Sequence, residues 1–300
     1  MADAYVIEAV DLRKVYGDIQ ALNGLNLQVP AGSIFGFLGR NGAGKTTTIK
    51  ALLGMTRPTG GSARVFGLAV NEPAASVEIR RRTGFVSEDK DLYDSMTVAD
   101  LIGFTRPFFP RWRSDLEAKY LRAFELPGER KVKTLSRGTR TKLALLLALC
   151  RGAELLVLDE PTSGLDPAMT EEVLQALVAH VSSEAMTIFF SSHQIAEVDQ
   201  IADRIAIIDR GRTVVSGVLD DLRESYRRVQ LVFAGDAPAA AFHAPGVVRV
   251  RRERRVLSVL CCDGAEQVVD EARTLHPVSV NVTPVTLKEI FLETVVGAED

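Results

Sequence analysis

Hydrophobic and polar residues alternate along the first thirty positions of the chain. Between residues 4 and 29 the alternation continues on both sides of a turn at Tyr16-Gly17-Asp18. A period of two residues is typical of antiparallel strands that bury one face and expose the other. The pattern therefore predicts a hairpin of two half-buried strands.

The pattern changes after residue 32. Residues 33–38 form a short apolar run, the segment GRNGAGKTT follows at once, and residues 45–53 carry apolar side chains at helical spacing. This order predicts a buried strand, a glycine loop and a helix.

Apolar runs and helical patterns alternate again from residue 155 onward. Residues 155–158 form an apolar run that ends before Pro161, a residue that cannot donate to a strand ladder. The elements expected next are a helix at 167–181, a strand at 186–191, a helix at 194–202 and a strand at 204–209. Such alternation predicts an α/β fold with a mainly parallel sheet and helices on both faces.

The segment between the glycine loop and residue 155 is too long for one crossover connection. Residues 98–150 have a mostly helical pattern, with an aromatic, proline-containing joint at 106–112. We therefore predict a helical subdomain inserted over about residues 92–150. Residues 143–150 are apolar around the whole helix circumference, so we expect them to be buried.

Residues 1–224 are predicted to form the main domain, and residues 225–300 a small α+β domain. Strands of the second domain are expected at 229–233, 247–250, 256–261 and 278–282, and helices at 265–275 and 287–294. Residues 251–255 are expected to form a turn. The arginines at 80–82 and 249–255 are expected on solvated surface, with contact to anionic lipid or a partner as the alternative.

Composition narrows the class of protein. A length of 300 residues favours two domains, and 46% hydrophobic with 25% charged residues is typical of a globular fold and excludes a disordered chain. The 36 basic and 39 acidic residues give a net charge of −3, so no overall positive field favours nucleic-acid binding. No apolar run is long enough to span a bilayer. A membrane role would therefore require a partner.

The cysteines indicate a reducing compartment. Three occur, Cys150, Cys261 and Cys262, and two of them are adjacent, which is a poor frame for disulfides. The first ten residues also lack the basic and apolar regions of a secretion signal. The sequence therefore predicts a cytoplasmic protein.

The glycine loop carries the first chemical signal. Gly39 to Thr46 read GRNGAGKT, which satisfies G-x-x-x-x-G-K-[ST] between a predicted strand and a predicted helix. Backbone N–H groups and the helix N-terminus can cradle phosphates, Lys45 adds a positive charge, and Thr46 can bind Mg²⁺. The motif predicts a nucleoside triphosphate site; the alternative is a glycine turn that merely packs a helix on a sheet.

Two acids follow the apolar run at 155–158. Asp159 is expected to hold Mg²⁺ through water, and Glu160 is expected to polarise the water that attacks the phosphate. An isolated Asp-Glu pair at a strand end is usually solvated and without function. Here the pair follows a phosphate loop and precedes PTSGLD, which favours the catalytic interpretation.

This ordered series of motifs resembles the ATP-binding subunit of the ABC transporter family over residues 4–222. Gly39 to Thr47 resemble the Walker A motif, and residues 155–160 resemble Walker B with its catalytic glutamate. Residues 135–139 (LSRGT) resemble the signature motif, and residues 163–166 resemble the D-loop. His193 matches the switch histidine, and Tyr16 matches the aromatic residue that stacks on adenine. The fold implied is a P-loop NTPase, the ABC cassette, with an antiparallel β subdomain.

The resemblance implies a set of site residues. The catalytic residues implied are Lys45, Glu160 and His193. The nucleotide-binding residues implied are Tyr16, Gly39, Arg40, Asn41, Gly42, Ala43, Gly44, Lys45, Thr46, Thr47, Ser136 and Gly138, and the ligands of Mg²⁺ are Thr46, Glu88 and Asp159. Taken alone, His193 would more often be a structural histidine, and Tyr16 a hairpin aromatic.

The chain departs from the common family pattern at two places. The signature has Arg137 and Thr139 where glycine and glutamine are usual, and Arg137 is expected to add charge near the γ-phosphate. Glu88 stands where the family usually has glutamine, and it keeps an oxygen ligand while adding negative charge. These departures, and VTLKEIFLETVVG at residues 285–297, resemble the exporter branch whose partner is an ABC-2 type permease.

The function implied is ATP hydrolysis coupled to transport. Two identical copies would meet head to tail around ATP and drive an integral-membrane permease, with the protein bound to the inner face of the membrane through that permease. One alternative is a soluble cassette ATPase acting on ribosomes or DNA, but such relatives generally carry tandem cassettes or a long coiled coil. Another is a nucleotide sensor without hydrolysis, against which Glu160 and His193 argue.

Overall fold

Residues 5–184 and 186–295 are described by a computed structural model of the chain. Contacts between residues divide the chain into two units, Met1–Ser216 and Gly217–Asp300. Residue 4, at the start of the predicted hairpin, and residues 296–297, at the end of the C-terminal motif, lie outside the described residues.

The first unit contains the strands and helices that carry the sequence motifs. Its strands are β1 (Tyr5–Tyr16), β2 (Ile19–Pro30), β3 (Ile34–Gly39), β4 (Gly60–Val65), β5 (Leu68–Ala69), β6 (Thr83–Val86), β7 (Leu155–Asp159), β8 (Thr187–Ser192), β9 (Arg204–Asp209) and β10 (Arg212–Val218), of which the last runs across the boundary. Its helices are α1 (Lys45–Leu52), α2 (Pro73–Arg82), α3 (Val98–Thr105), α4 (Ser114–Ala123), α5 (Arg137–Leu149), α6 (Pro167–Glu184) and α7 (Ile195–Ile201). Single turns of 3₁₀ helix occur at Arg106–Phe108 and Val132–Thr134.

A six-stranded sheet forms the centre of this unit, in the order β10-β9-β3-β8-β7-β6. The neighbours from β9 to β6 pair in parallel. Every residue of β3, β7 and β8 is buried, which fits their continuous apolar sequences. The predicted α/β fold with a mainly parallel sheet is therefore confirmed.

A second sheet in the same unit is antiparallel, in the order β2-β1-β4-β5. The predicted hairpin is present as β1 and β2. Strand β4 was not predicted because it begins Gly-Gly-Ser and has no regular alternation of polar and apolar residues. Strand β6 (TGFV) was also missed, because it begins Thr-Gly and is not a continuous apolar run.

The inserted segment contains α3, α4 and α5, as the sequence predicts. Helix α3 begins with a capping box, in which Thr97 and Asp100 satisfy each other's backbone N–H groups. Helix α5 begins at the N-cap Ser136. All residues from 143 to 150 are buried, as expected from their apolar circumference.

The second unit folds around its own small core. Its elements are α8 (Leu219–Ser225), β11 (Arg227–Val232), β12 (Val247–Glu253), β13 (Val256–Cys261), α9 (Ala265–Arg273), β14 (Ser279–Pro284) and α10 (Leu287–Val295). The sheet order is β12-β13-β11-β14, with antiparallel pairs throughout. Val268 and Ala272 of α9 are fully buried in the apolar cluster of this unit.

The turn predicted at 251–255 is shorter in the structure, because β12 continues to Glu253. Arg249 and Arg251 lie on that strand, and their Nε atoms are 3.7 and 3.1 Å from Oε2 of Glu293. The expectation of a wholly solvated arginine cluster was therefore wrong for these two residues. A run of charged residues in the sequence does not show which of them will form ion pairs with a helix that follows later in the chain, as α10 does here.

Of the arginines at 80–82, Arg81 is exposed as expected, whereas Arg80 and Arg82 differ from the expectation of solvated surface. Arg80 donates to the backbone oxygen of Leu53 at 3.0 Å. Arg82 forms a two-pronged pair with Glu154, at 2.9 and 2.6 Å. Both arginines are half-buried and connect α2 to neighbouring segments.

The three cysteines are free, and burial raises the pKa of the Cys150 thiol to about 12. Within residues 5–184 and 186–295, none of the helices combines the length and apolar character needed to cross a bilayer.

Packing around Phe189 gives a test of the central sheet. Its ring lies 5.9 Å from that of Phe35 and 5.3 Å from that of Phe37, and all three are almost fully buried. Phe189→Ala is expected to lower the free energy of unfolding by about 3–5 kcal/mol, because it removes buried area and leaves a cavity. Chemical denaturation measures the change.

Val10→Ala, at a side chain 60% exposed, is the control and should change stability by less than about 0.5 kcal/mol. Equal effects of the two substitutions would contradict this account of the core.

Candidate functional site

The glycine loop joins β3 to α1, as the sequence predicts. Gly44 is the N-cap of α1 and has a φ of +109°, a conformation that favours glycine. A Cβ atom on Gly44 would lie 2.7 Å from the backbone oxygen of Ala21, so the close approach to the hairpin also requires glycine. The first N–H groups of a helix have no partner within the helix, and α1 therefore offers donors and a positive dipole end to an anion at this loop.

A cavity of about 330 Å³ lies against this loop. Its lining residues are Ile19, Gln20, Ala21, Asn41, Gly42, Gly44, Lys45, Thr46, Thr47, Glu88 and Glu160. Eight of these belong to the set predicted from the sequence: Asn41, Gly42, Gly44, Lys45, Thr46, Thr47, Glu88 and Glu160. Of the other predicted loop residues, Gly39 and Ala43 are buried and Arg40 is exposed. The loop, the acidic strand end and the loop of Glu88 thus meet at one place.

Tyr16 does not line this cavity. Its hydroxyl lies 3.2 Å from Oγ1 of Thr56, and the Lys14 ammonium lies 4.6 Å from the ring centroid. The ring is 45% exposed, so one face remains available to a ligand. Stacking of adenine on Tyr16 stays a prediction.

Lys45 and Glu160 form a buried ion pair at the cavity. The Lys45 ammonium is 3.1 Å from Oε1 of Glu160, and each side chain is only 6% exposed. The ammonium also donates to the backbone oxygens of Gly39, at 2.7 Å, and Arg40, at 3.2 Å. A phosphate entering this loop must therefore compete with the Glu160 carboxylate for the Lys45 charge.

His193 holds the other oxygen of the same carboxylate. Its Nδ1 lies 2.8 Å from Oε2 of Glu160. Oε1 of Glu160 is buried and has no hydrogen-bond partner of good geometry in the described chain, since its contact with Lys45 is an ion pair without an aligned hydrogen bond. In this arrangement Lys45 lies against that oxygen, so it can accept a proton from water only after a phosphate has displaced the ammonium.

Ser191 holds two groups of the site, although the sequence pattern gave no indication of this. Strands β7 and β8 are parallel neighbours, with Asp159 opposite Ser191. The Ser191 hydroxyl donates to Oδ1 of Asp159 at 2.6 Å and accepts from the backbone N–H of Glu160 at 3.0 Å. The signal that could have found it is its place at the end of a strand that pairs with the acidic strand.

Glu197, on α7, is a second buried acid that the sequence did not mark. Its Oε2 accepts from the Ser192 hydroxyl at 2.8 Å. Burial raises the pKa of this carboxyl, and the hydrogen bond from Ser192 opposes the change.

The signature residues lie at the N-terminus of α5. The Ser136 side chain accepts from the Thr139 backbone N–H at 3.1 Å and lies 2.8 Å from the Thr139 hydroxyl. A Cβ on Gly138 would collide with the end of the Met169 side chain, so a larger residue here would require Met169 to move. The lining of the Lys45 cavity includes none of these signature residues.

The Arg137 side chain contacts a loop of its own chain, at Ser163 and Gly164. Its guanidinium lies 3.4 Å from the Ser163 hydroxyl and close above Gly164. The expected place of Arg137 near a γ-phosphate stays a prediction.

The oxygen donors at the site suit Mg²⁺. Thr46 and Glu88 line the cavity, and the Asp159 carboxylate is buried at the end of β7. Hydroxyl and carboxylate oxygens, completed by phosphate oxygens and water, are the ligands that Mg²⁺ usually takes. Within the described ranges, no three acidic, histidine or cysteine side chains form a metal cage of their own.

Comparison with known proteins places this site in context. The family profile described as ABC transporter matches residues 22–163. The bacitracin transport ATP-binding protein BcrA of Bacillus licheniformis is 36% identical over 225 residues, which cover 74% of this chain and 73% of that protein. The daunorubicin resistance ATP-binding protein DrrA3 of Streptomyces coeruleorubidus is 34% identical to this chain. The aligned region covers 97% of this chain and 96% of that protein.

A solved structure of a dimeric ATP-binding cassette, described as a post-hydrolysis state with ADP and Pi, has a related fold. It superposes with a TM-score of 0.64 over 71% of this chain and 98% of that chain, at 23% identity. At this identity the likeness shows the fold of a cassette and nothing further.

The Lys45–Glu160 contact gives the first prediction about the site. Glu160→Gln removes the charge that competes with phosphate for Lys45, so binding of a non-hydrolysable ATP analogue should become about tenfold tighter. Equilibrium titration of the purified protein measures this. The control is Glu154→Gln, because Glu154 pairs with Arg82 away from the cavity and should leave the affinity unchanged. Unchanged affinity in Glu160→Gln would refute the competition.

Proposed function

The chain belongs to the ABC transporter family as an ATP-binding subunit, and we propose that two copies of it hydrolyse ATP between them to drive an integral-membrane exporter. The main support for this proposal is the position of the Glu160 carboxylate, which contacts both Lys45 and His193 at the glycine-loop cavity. Those three side chains bring together a phosphate-binding cation, an acceptor for a water proton and a histidine.

Each of these side chains has a role in the proposed hydrolysis. Lys45 and the N-terminus of α1 bind the β- and γ-phosphates and stabilise negative charge on them. Glu160, with Oε1 free to accept, orients the attacking water and takes its proton. His193 holds Oε2 of Glu160 and lies 40% exposed, where it can also contact the γ-phosphate.

We propose that Mg²⁺ is bound by Thr46, Asp159 and Glu88 together with phosphate oxygens. When bound, the ion neutralises charge on the phosphates during transfer. Ser191 holds the Asp159 carboxylate at 2.6 Å and so fixes its direction. Glu88 supplies an oxygen in place of the family's usual glutamine and adds a charge that strengthens metal binding.

A homodimer is supported by the separation of the two halves of the motif set. Lys45 and Glu160 line the cavity, whereas Ser136 and Gly138 lie at the N-terminus of α5 and are absent from the lining described for it. A second copy arranged head to tail would bring its own Ser136 to this ATP. The cassette structure with a related fold is dimeric, which is consistent with this assembly.

An exporter with an ABC-2 type permease is supported by the relatives and by the sequence. The relatives are described as proteins of bacitracin transport and daunorubicin resistance. The likeness to the second covers 97% of this chain, so it includes most of residues 217–300. We propose that these residues form an accessory domain and that the protein works at the inner face of the membrane, bound to its permease.

Trapping of the dimer tests the proposed assembly. Glu160→Gln with Mg-ATP should lose at least about 100-fold in turnover and accumulate as a dimer, because ATP then stays between the copies. Light scattering during size exclusion measures the mass. Ser136→Asn in the same background keeps an N-cap residue for α5 but crowds the phosphate contact, so this variant should remain a monomer. A monomeric Glu160→Gln protein at saturating Mg-ATP would overturn the proposal.

Titration with metal tests the role of Glu88. Glu88→Ala should raise the Mg²⁺ concentration for half-maximal ATP hydrolysis by about tenfold, because one oxygen ligand is lost. Glu88→Gln keeps a neutral oxygen and should give a smaller increase. Exposed Asp89, next in the chain, provides the control variant Asp89→Ala. If all three variants keep the parental metal dependence, Glu88 is not a ligand.

A further inference from the structure

Lys90 is a buried lysine in the loop between β6 and α3. It follows Ser-Glu-Asp, a polar sequence that gives no sign of burial, yet it is only 3% exposed. Its ammonium donates to the backbone oxygen of Glu160 at 3.1 Å. Lys90 is not among the residues that line the glycine-loop cavity, so nucleotide binding does not explain why this lysine is buried.

Glu160 has a backbone conformation that needs support. Its φ is +48°, a left-handed value that is uncommon for residues other than glycine and costs free energy. Side chains from two different segments hold its two backbone groups: the Ser191 hydroxyl accepts from its N–H at 3.0 Å, and the Lys90 ammonium donates to its oxygen. The Ser163 N–H donates to the same oxygen at 3.2 Å.

The backbone of Lys90 is held in turn by helix α5. Nε of Arg140 donates to the Lys90 oxygen at 3.1 Å, and Nη1 of Arg140 lies 2.7 Å from Oδ1 of Asp94 at the end of the same loop. Arg140 lies one turn after Ser136 on α5. A continuous set of contacts therefore runs from the signature helix through Lys90 to Glu160.

Burial of a lysine is unfavourable unless something compensates for it. A buried amine is costly, and an apolar side chain of similar size would avoid that cost. The position is therefore better explained by the group that Lys90 holds than by stability.

We propose that Lys90 is a positioning residue for ATP hydrolysis: its ammonium fixes the backbone oxygen of Glu160 and thereby directs the Glu160 carboxylate at the attacking water. This inference rests on the proposed role of Glu160 as the general base. It assigns Lys90 to the hydrolysis step and not to the binding of ATP, because Lys90 holds the backbone of the base.

Lys90→Met removes the hydrogen bond and keeps most of the side-chain volume. In the full chain, kcat for ATP hydrolysis should fall by about 10- to 100-fold, because small displacements of a catalytic group are costly, while KM for ATP changes by less than about threefold. Lys90→Arg can still donate to the Glu160 oxygen and should recover at least a third of the parental kcat. Lys133→Met, at an exposed lysine outside the site, is the control and should keep the parental kcat.

A second background separates positioning from folding and assembly. The double variant Lys90→Met with Glu160→Gln should form the ATP-dependent dimer as Glu160→Gln alone does, and its melting temperature should match that of the single variant. A parental kcat in Lys90→Met, an equal loss in Lys90→Arg, or loss of the dimer in the double variant would each overturn the assignment. Failure of Glu160→Gln alone to form a dimer would instead count against the proposed function.

Discussion

The buried contact between the Lys45 ammonium and the Glu160 carboxylate is the interaction on which the site depends. At 3.1 Å and with almost no exposure, each charge is strongly attracted to the other, and neither can be solvated fully by water. The same ammonium is the group that a phosphate-binding loop uses to hold its ligand. In the proposed mechanism, ATP and Glu160 compete for this one cation, and binding of ATP would leave the carboxylate with His193 and with an oxygen free to accept a proton.

That contact exists because three strands lie side by side in parallel. Strand β3 ends at the glycine loop, β7 ends at Asp159, and β8 ends at Ser192, so their carboxyl ends meet at one edge of the sheet. The register sets Asp159 opposite Ser191, and the Ser191 hydroxyl then holds both the Asp159 carboxylate and the Glu160 N–H. A shift of one residue between these strands would separate the acids from the loop.

Features written in short contiguous patterns could be predicted from the sequence. The glycine loop, the hairpin, the alternating strands and helices, and the acids at a strand end all depend on neighbours in the chain. Features that depend on what packs above a residue were missed. The residues next to Lys90 in the sequence do not distinguish it from a solvated lysine. The sequence around Arg249 and Arg251 does not show that α10 brings Glu293 to them. Strand β4 begins with two glycines, which hide its strand pattern. The role of Ser191 requires the strand order, which no single-strand pattern contains.

The central claim is that one triphosphate is shared by Lys45 of one copy and Ser136 of another, with Glu160 released from Lys45. A crystal structure of Glu160→Gln with Mg-ATP tests it most directly. We expect two copies head to tail, the γ-phosphate within hydrogen-bond distance of Lys45 from one copy and Ser136 from the other, and the residue at 160 no longer in contact with Lys45. A triphosphate bound by a single copy, with Ser136 facing solvent and Lys45 still beside residue 160, would contradict it.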